Sequence, residues 1–275
     1  MISEAEILEI DLLFEAMYRR YGYDFRNYAF ASAQRRVLHN MKKNKIESIG
    51  ELQHRLIHDE QVADALLIDL SINVTEMFRD PLLFKTLRNN ILPALAKDEH
   101  LKIWHAGCSS GEEAYSMAIL LNELGLLEKT QLYATDFNNQ ILKQAKKGIL
   151  QLGDMRSHIK NYQSSGGIQE FTNYYRAKHG HAILDKLLKK NIMFSNHNLT
   201  GDGVFGEMNL IICRNVLIYF DKKLQNRVFE LFLDSMAENG ILCLGSHETL
   251  SMSSVAKQFE TISEPHRIYK KKQTV

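Results

Sequence analysis

From residue 101 onward, short apolar runs alternate with helical patterns, and this alternation limits the fold more than any other feature. The first run, Leu101–Ala106, is followed by a glycine turn and by the helical pattern of Glu112–Leu124. Strands that alternate with helices form a mostly parallel sheet with helices on both faces. The sequence therefore predicts a doubly wound α/β fold whose last strand pairs antiparallel with Gln258–Ile262. The other predicted strands are Gln131–Thr135, Asn191–Ser195, Met208–Cys213, Gly240–Gly245 and His266–Lys270, and the other predicted helices are Asn138–Lys147 and Asp221–Ala237.

Two regions depart from this alternation. Residues 1–72 show helical spacing and no strand pattern, so we expect a small all-helical domain there and a second domain over residues 73–275. Short helices are predicted at Ser48–His58 and Gln61–Leu70. The polar stretch Gly148–Lys190 is too long for a simple loop, which indicates a small inserted subdomain within about residues 150–190.

The composition excludes several classes of protein. Apolar residues make up 45% of the chain and charged residues 24%, as in ordinary globular proteins, so extensive disorder is excluded. No apolar run approaches the roughly 20 residues of a membrane span, and the acidic N-terminus is unlike a signal peptide. The three cysteines, Cys108, Cys213 and Cys243, are too widely spaced for a disulfide framework or a cysteine zinc site. We therefore expect a cytoplasmic protein without membrane insertion.

Charge is concentrated in one helical segment. Between Arg19 and Lys45, eight basic residues accompany the single acid Asp24, a net charge of +7 that leaves −6 on the remainder of the chain. On the predicted second helix, basic side chains recur every three or four residues and form a ridge, with Val37, Leu38 and Met41 expected to face elsewhere. The ridge is either a solvated helix face or a docking surface for an acidic partner. Its members are Arg35, Arg36, His39, Lys42 and Lys43.

A glycine turn joins the first predicted strand to its helix. The spacing Gly107-Cys-Ser-Ser-Gly111 differs from that of dinucleotide binders, and no P-loop lysine follows. Glu112 and Glu113 begin the helix, where they would repel a phosphate but suit a cationic ligand. S-adenosylmethionine (SAM) is such a ligand, because it carries an ammonium and a sulfonium and no phosphate. A tight strand-to-helix turn without a ligand is the alternative.

Polar residues end three further segments near the same predicted sheet edge. Asp136 ends the second strand and is placed to accept hydrogen bonds from a ribose, although a helix N-cap is the alternative. The buried strand Met208–Cys213 continues into Arg214-Asn215 and Tyr219, whose polar groups need partners that a ligand can supply. The segment 73–79 alone predicts only the start of a helix.

Five motifs occur in the order INVTEMFRD, WHAGCSSGEEAYS, YATD, LIICRNVLIYFD and LCLGSHETL. Together they resemble the CheR-type chemotaxis receptor glutamate O-methyltransferases, over about residues 20–270. Met77 and Ala114 stand where this family usually has Phe and Pro, and neither side chain is reactive. The resemblance implies a class I SAM-methyltransferase (Rossmann-like) sheet, SAM as methyl donor and S-adenosylhomocysteine as product. It also implies that the insertion is a small antiparallel subdomain, which in some members binds a receptor tail peptide.

The resemblance assigns a role to each matching residue. Glu112 would bind the amino acid part of the donor, Asp136 its ribose, and Asn198 and Leu199 its adenine. Arg79 and Tyr219 would lie closest to the incoming carboxylate and are the expected catalytic residues. The other expected donor contacts are Asn73, Thr75, Arg214 and Asn215.

The implied reaction is methylation of receptor glutamates to methyl esters. A carboxylate is already ionised at pH 7, so no general base is required. A non-catalytic SAM-binding module and a nucleic-acid methyltransferase are the alternatives. The first is disfavoured by the intact Arg79, Asn215 and Tyr219, and the second by the absence of an Asn-Pro-Pro-Tyr-type motif after the fourth strand. We further expect a chemotaxis receptor as partner for the basic ridge, no nucleic-acid partner, a monomer, and no metal at the pair His179 and His181.

Overall fold

The computed structural model describes residues 3–71 and 75–273 and divides into two compact units. One unit comprises residues 1–73 with 216–228, and the other comprises residues 74–215 with 229–275. The predicted donor contact Asn73 lies outside the described residues.

The N-terminal unit is helical, as the sequence predicts. Its helices are α1 (Glu4–Tyr21), α2 (Phe30–Asn44), α3 (Ile49–His58) and α4 (Glu60–Leu70). Side-chain caps set their first turns, because the hydroxyls of Ser3 and Ser48 and the carboxylate of Asp59 each accept a backbone N–H. Gly22 ends α1 in the left-handed conformation, with φ of 77°. The fully buried side chains of these four helices are Ile10, Leu13, Met17, Val37, Leu52, Leu56, Ala63 and Leu66.

Segment 216–228 belongs to the helical unit although it lies far along the chain. Ala29 donates its N–H to the carbonyl of Tyr219 at 2.7 Å, and Tyr28 forms an isolated antiparallel bridge with Phe220. The rings of Tyr28 and Phe220 also meet edge to face, with centroids 5.1 Å apart. The chain therefore returns to the helical unit between two strands of the sheet.

The second unit is an α/β unit built on a seven-stranded sheet and a small second sheet. Its helices are α5 (Pro81–Thr86), continued by a π-turn (Leu87–Ile91) into α6 (Leu92–Leu95), then α7 (Glu112–Glu123), α8 (Asn139–Lys147), α9 (Met155–Ser164) and α10 (Lys186–Lys189). The last helix, α11 (Lys222–Asp234), is divided between the units, with residues 222–228 in the helical unit and residues 229–234 in this one. Short 3₁₀ turns occur at Leu127–Lys129, Leu152–Asp154, Phe171–Tyr174, Leu217–Tyr219 and Ala256–Gln258. The strands are β1 (Leu101–Ala106), β2 (Thr130–Asp136), β3 (Ile149–Gln151), β4 (Tyr175–Lys178), β5 (His181–Leu184), β6 (Ile192–Asn196), β7 (Met208–Cys213), β8 (Met236–Leu244), β9 (Phe259–Ser263) and β10 (Ile268–Lys271).

The large sheet has the order β6-β2-β1-β7-β8-β10-β9. Strands β6, β2, β1, β7 and β8 are parallel, and β10 pairs antiparallel with both β8 and β9. This confirms the predicted doubly wound, mostly parallel sheet and its antiparallel end. Ile103 of β1 lies beside Leu132 of β2 and Leu210 of β7, and all three are fully buried. The strand order reverses at β1, which places a ligand crevice at the carboxyl ends of the central strands.

Two predicted boundaries were wrong at the entrance to β8. The helix predicted to run to Ala237 ends at Asp234, and the strand predicted from Gly240 begins at Met236. The register against β7 shifts between Met208 and Leu210, and Asn239 has φ of 61°, so the strand is irregular over the residues that the sequence assigned to the end of the helix. Gly240 is needed there, because a Cβ would lie 2.9 Å from the Ala237 carbonyl oxygen.

The insertion forms its own three-stranded antiparallel sheet, in the order β3-β5-β4. Its aromatic residues are tied to α7 through Glu123, whose side chain is only 1% exposed. Glu123 accepts hydrogen bonds from the hydroxyls of Tyr162 and Tyr174 and pairs with Arg88. The pKa of Tyr162 is raised to about 12, mainly because of burial and secondly because of the hydrogen bond to Glu123. The insertion is therefore fixed to the helix that follows the glycine turn.

Candidate active site

The glycine turn after β1 has the backbone geometry that its sequence requires. Gly107, Ser109 and Gly111 have φ of 79°, 51° and 95°. A Cβ at Gly111 would come within 3.2 Å of Ala145 and 3.3 Å of Phe194, so only glycine fits without displacing these neighbours. The N–H groups of Gly107 and Cys108 both donate to the Thr135 carbonyl at 2.8 Å, which ties the turn to the end of β2.

Asp136 is buried at the carboxyl end of β2, facing this turn. One carboxylate oxygen accepts the N–H of Ser109 and the other that of Asn138, each at 3.0 Å. Burial raises the pKa of Asp136, and these backbone hydrogen bonds offset only part of that effect. A carboxylate offers about four acceptor sites, so Asp136 has the capacity to accept a further hydrogen bond from a diol such as ribose.

Glu112 is the first residue of α7 and lies beside the same turn. The hydroxyl of Ser110 donates to its carboxylate at 2.7 Å. Burial raises the pKa of Glu112. Across the described ranges, neither Glu112 nor Asp136 forms an ion pair. Two acidic groups without a protein cation can accept a cationic ligand with hydroxyl groups, and the ammonium and ribose of SAM fit this requirement.

Glu113, the next residue, has a different environment. One carboxylate oxygen of Glu113 accepts a hydrogen bond from the Arg214 guanidinium at 2.7 Å. The other carboxylate oxygen lies 3.1 Å from Nδ1 of the fully buried His105. Arg214 also pairs with Asp80. Burial alone would raise the pKa of Glu113, but the Arg214 charge and His105 outweigh it and lower that pKa to about 2. We refer to His105, Glu113, Arg214 and Asp80 as the Arg214 cluster.

The structure thus places Arg214 in an internal ionic cluster at the end of β7. Its guanidinium is 2% exposed and also donates to the Arg79 carbonyl at 3.4 Å. Arg79 itself is half-buried, as is Thr75, and the intervening Phe78 donates its N–H to the Ser116 hydroxyl at 2.8 Å. Segment 75–80 is therefore anchored to α7 and to the end of β7.

Asn215 follows Arg214 in the left-handed conformation, with φ of 61°. Its N–H donates to the Glu248 carboxylate at 3.1 Å, and the N–H of Gly245 donates to the same oxygen at 2.6 Å. A Cβ on Gly245 would lie 2.6 Å from this oxygen, so the bridge requires glycine. Glu248 lies in the motif LCLGSHETL, but no role was predicted for it from the sequence. The signal that could have indicated this bridge is a glycine at the end of a strand with an acid three residues later.

Asn198 and Leu199 follow β6 in a loop that ends before β7. Leu199 is buried, and the Asn198 side-chain oxygen accepts from the N–H and the hydroxyl of Thr200 at 3.0 and 2.8 Å. The α/β unit thus brings most of the predicted donor contacts to one edge, at the carboxyl ends of β1, β2, β6 and β7. These residues are Glu112, Asp136, Asn198, Leu199, Arg214 and Asn215.

Tyr219 and the basic ridge belong to the helical unit. The Arg36 guanidinium lies 5.9 Å from the Tyr219 ring centroid and donates to the Asp69 carbonyl at 3.0 Å. Burial lowers the pKa of Arg36. Lys43 pairs with the Asp69 carboxylate at 2.9 Å. Arg36 and Lys43 are therefore engaged within the unit.

Arg35, His39 and Lys42 are exposed on the outer face of α2. The prediction that Leu38 faces away from them was wrong, because its side chain is 42% exposed. Leu38 is three residues after Arg35 and four before Lys42, which places all three on one helix face. Val37 and Met41 are buried, which agrees with the prediction that they face away from the ridge.

The histidines of the insertion do not form a metal site. His179 has φ of 49° in the turn between β4 and β5, and His181 begins β5. Within residues 3–71 and 75–273, no group of three or more His, Cys, Asp or Glu side chains is placed to hold a metal ion. Over the same ranges, no helix has the length and apolar character required to cross a bilayer.

The fold and the carboxyl-edge residues define the class of SAM-binding methyltransferases. A family model described as the CheR methyltransferase SAM-binding domain matches residues 73–268, and one described as the CheR methyltransferase all-alpha domain matches residues 8–71. The chain therefore belongs to the CheR methyltransferase family, and SAM is its cofactor.

Named relatives cover most of the chain. Cher3 of Pseudomonas putida is 47% identical over 264 residues, which cover 96% of this chain and 97% of that protein. The chemotaxis protein methyltransferase of Listeria innocua is 32% identical over 247 residues, covering 88% of this chain and 91% of that one. Chemotaxis protein methyltransferase 1 of Pseudomonas aeruginosa is 29% identical over 223 residues, with coverages of 77% and 79%.

Proposed function

We propose that this protein methylates glutamate side chains on the cytoplasmic domains of chemotaxis receptors, producing methyl esters. The proposal rests on the chemistry of the carboxyl edge. Two acids without a cationic partner among the described residues suit a cationic donor, whereas the histidines near this edge, His105 and His197, are both buried and contact Glu113 and the Gly203 carbonyl, respectively. An acceptor that is already ionised at pH 7 needs no base, and a glutamate carboxylate meets that condition.

The chain's own residues contribute binding and orientation. When bound, SAM supplies a methyl group on a positively charged sulfur. Glu112 pairs with the ammonium of the donor, Asp136 accepts from its ribose hydroxyls, and the Asn198–Leu199 segment contacts its adenine. The open backbone of the glycine turn permits close approach of the donor. Thr75 and Asn215 complete the proposed donor contacts, and Asn73 retains the role that the family resemblance implies.

Arg79 and Tyr219 are the proposed catalytic residues. The Arg79 guanidinium attracts the acceptor carboxylate, and the Tyr219 hydroxyl orients it by donating a hydrogen bond. A tight ion pair with Arg79 would weaken the carboxylate as a nucleophile, so we give the orienting role to Tyr219. Arg214, held by Glu113 and Asp80, fixes the backbone at Arg79 through its hydrogen bond to that carbonyl.

The exposed face of α2 is the proposed docking surface for an acidic region of the receptor. Arg35 and Lys42 are exposed on either side of the exposed Leu38 and have no ion pair with any described residue, whereas Arg36 and Lys43 are engaged by Asp69. Attraction between this face and acidic helices would raise the rate of encounter and would weaken with added salt.

The test is transfer of radiolabelled methyl from SAM to receptor-containing membranes or to a purified receptor cytoplasmic domain. We expect label on the receptor that mild base releases as methanol, the behaviour of a carboxyl methyl ester. The Tyr219→Phe variant should bind SAM normally and transfer label more slowly. Base-stable label on the receptor, or label on RNA or DNA, would overturn the proposal. Donor binding without label on any receptor preparation would favour a non-catalytic signalling module.

A further inference from the structure

The loop that carries Asn198 and Leu199 is packed on an aromatic cluster below the carboxyl edge. Trp104 is fully buried in β1, and the Phe205 ring stacks on its indole with centroids 4.8 Å apart and planes 21° apart. The buried His197 ring meets Trp104 edge to face at 5.2 Å and Phe205 at 5.1 Å. We call Trp104, His197 and Phe205 the aromatic platform.

The same loop is closed on itself by hydrogen bonds. His197 Nε2 lies 3.1 Å from the Gly203 carbonyl oxygen, which can only accept, so this nitrogen carries the proton. The Asn198 N–H donates to the Asp202 carboxylate at 2.8 Å, and the Asp202 N–H donates back to the Asn198 carbonyl at 2.8 Å. Phe205 donates its N–H to the Ser235 hydroxyl at 3.2 Å. The two ends of the loop are thus fixed beside Trp104.

The platform is also connected to the residues that face the ribose. The Trp104 indole N–H donates to the Thr135 hydroxyl at 2.8 Å. The Thr135 carbonyl accepts hydrogen bonds from the backbone N–H groups of Gly107 and Cys108 in the glycine turn. The Asp136 carbonyl accepts a hydrogen bond from the backbone N–H of His197 at 3.3 Å. One set of contacts therefore joins the loop, the end of β2 and the glycine turn.

We infer that the aromatic platform is a positioning device for the nucleoside half of the donor, with Phe205 and His197 as positioning residues. The inference rests on the proposed placement of adenine at Asn198 and Leu199. The platform holds that loop in its binding geometry before the donor arrives, so that little affinity is lost to ordering it. Loosening the loop lowers the affinity for SAM and leaves the transfer step at saturating donor unchanged.

Phe205→Ala removes the stacked ring from the loop, and Phe205→Tyr keeps it. An aromatic pair contributes enough free energy that its loss corresponds to about a three- to tenfold weaker donor affinity. We expect Phe205→Ala to raise the Kd for SAM and for S-adenosylhomocysteine by that factor in calorimetry. The kcat at saturating SAM and the KM for receptor should stay at wild-type values, and Phe205→Tyr should restore the affinity.

Phe232→Leu is the matched control. Phe232 is fully buried on α11 and touches Trp104 edge to face at 5.6 Å, but it is not part of the loop. We expect this variant to lower the Tm and to keep the wild-type Kd for SAM. A Phe205→Ala protein with wild-type affinity would overturn the inference. So would an equal loss of affinity in both variants, because general destabilisation would then explain the effect.

Trp104 is the single tryptophan of the chain and gives a second measurement. Donor binding should change its fluorescence in the wild-type protein, and Phe205→Ala should reduce that change at saturating donor. A wild-type protein that binds SAM but labels no receptor carboxylate would contradict the proposed acceptor and leave the positioning role standing. If donor binding changed the fluorescence of Phe205→Ala as much as that of the wild type, the positioning role alone would be contradicted.

Discussion

Glu112 and Glu113 are neighbours in the first turn of α7, yet they lie in two different electrostatic environments. Glu112 faces the glycine turn with Ser110 as its hydrogen-bond donor, and burial raises its pKa. Glu113 belongs to the Arg214 cluster, and its pKa falls to about 2 despite burial. The contrast shows that the helix N-terminus does not set the behaviour of these acids. The direction of each pKa shift is instead determined by whether an arginine faces the carboxylate.

The two environments serve different purposes. The Arg214 cluster is neutralised within the protein, so it holds the ends of β1, β7 and segment 75–80 together. Among the described residues, Glu112 and Asp136 have no ion-pair partner, so they carry the cost of burial, and in the proposed donor site a cationic donor would relieve that cost on binding. We therefore expect stability to depend mainly on the Arg214 cluster and donor affinity on Glu112 and Asp136.

The largest expected effect is the loss of stability in Glu113→Gln. This change removes one carboxylate from the buried Arg214, and breaking a buried ion pair costs about 3 kcal/mol or more. We expect the free energy of unfolding in urea to fall by that amount. Glu112→Gln should leave the free energy of unfolding unchanged or raise it, since it removes a buried charge without a partner. A destabilised Glu112→Gln with a normal Glu113→Gln would reverse the comparison.

The second-largest expected effect is on the affinity of the protein for SAM. Glu112→Gln removes a charge-assisted hydrogen bond to the ammonium, which corresponds to about a 10- to 100-fold higher Kd for SAM. Asp136→Ala should weaken binding similarly and also loosen the glycine turn, because Ser109 loses its acceptor. Titration calorimetry on folded variants measures both. Wild-type affinity in Glu112→Gln would show that the ammonium binds elsewhere.

The pH dependence of stability should separate the two acids. Glu113 has a pKa that falls on folding, so its contribution is present above its unfolded pKa of 4.5 and is lost between that pH and about 2. The pKa values of Glu112 and Asp136 rise on folding, so their effect opposes folding at neutral pH and is relieved as pH falls through the raised values. Unfolding curves from pH 7 to 2 should show that the free energy of unfolding decreases less below pH 4.5 in Glu113→Gln than in the wild type.

The smallest effect concerns the helical unit. Replacing Arg35 and Lys42 by Ala should raise the KM for receptor about two- to fivefold at low salt, because exposed charges each contribute little. Affinity for SAM should not change, and the difference from wild type should shrink in 0.5 M salt, where screening at about 4 Å dominates. Lys143→Ala, an exposed lysine on α8, is the control. Equal activity of all these proteins across salt concentrations would count against docking through α2.

Periodicity and strand ends predicted much of this architecture, because the pattern of buried residues determines strands β1, β2, β6 and β7 locally. The residues at the carboxyl edge follow from strand order, since parallel strands all end at one edge. What could not be predicted depends on contacts between distant segments. The pairing of Arg214 with Asp80 and Glu113 and the Glu248 bridge between Gly245 and Asn215 leave no periodic pattern in the sequence.

Charge alone also does not show which cations of the basic helix have partners within the unit. Arg36 and Lys43 have the same spacing as the exposed cations, but α4 places Asp69 against them. Leu38 was expected to face away from the basic ridge, although helical geometry places it between Arg35 and Lys42. Tertiary neighbours, rather than residue type, decide which members of a charge run are available to a partner.

The central claim is that the donor's positive charge is received by Glu112, an acid with a raised pKa, while Glu113 is already neutralised by Arg214. Proton exchange on SAM binding tests it most directly, by calorimetry at several pH values between about 4.5 and 7 in buffers of different ionisation enthalpy. We predict that wild type and Glu113→Gln release protons when SAM binds and that Glu112→Gln releases fewer, because Asp136 is then the remaining acid of raised pKa at the proposed donor site. Equal proton release in Glu112→Gln, or none in the wild type, would contradict it.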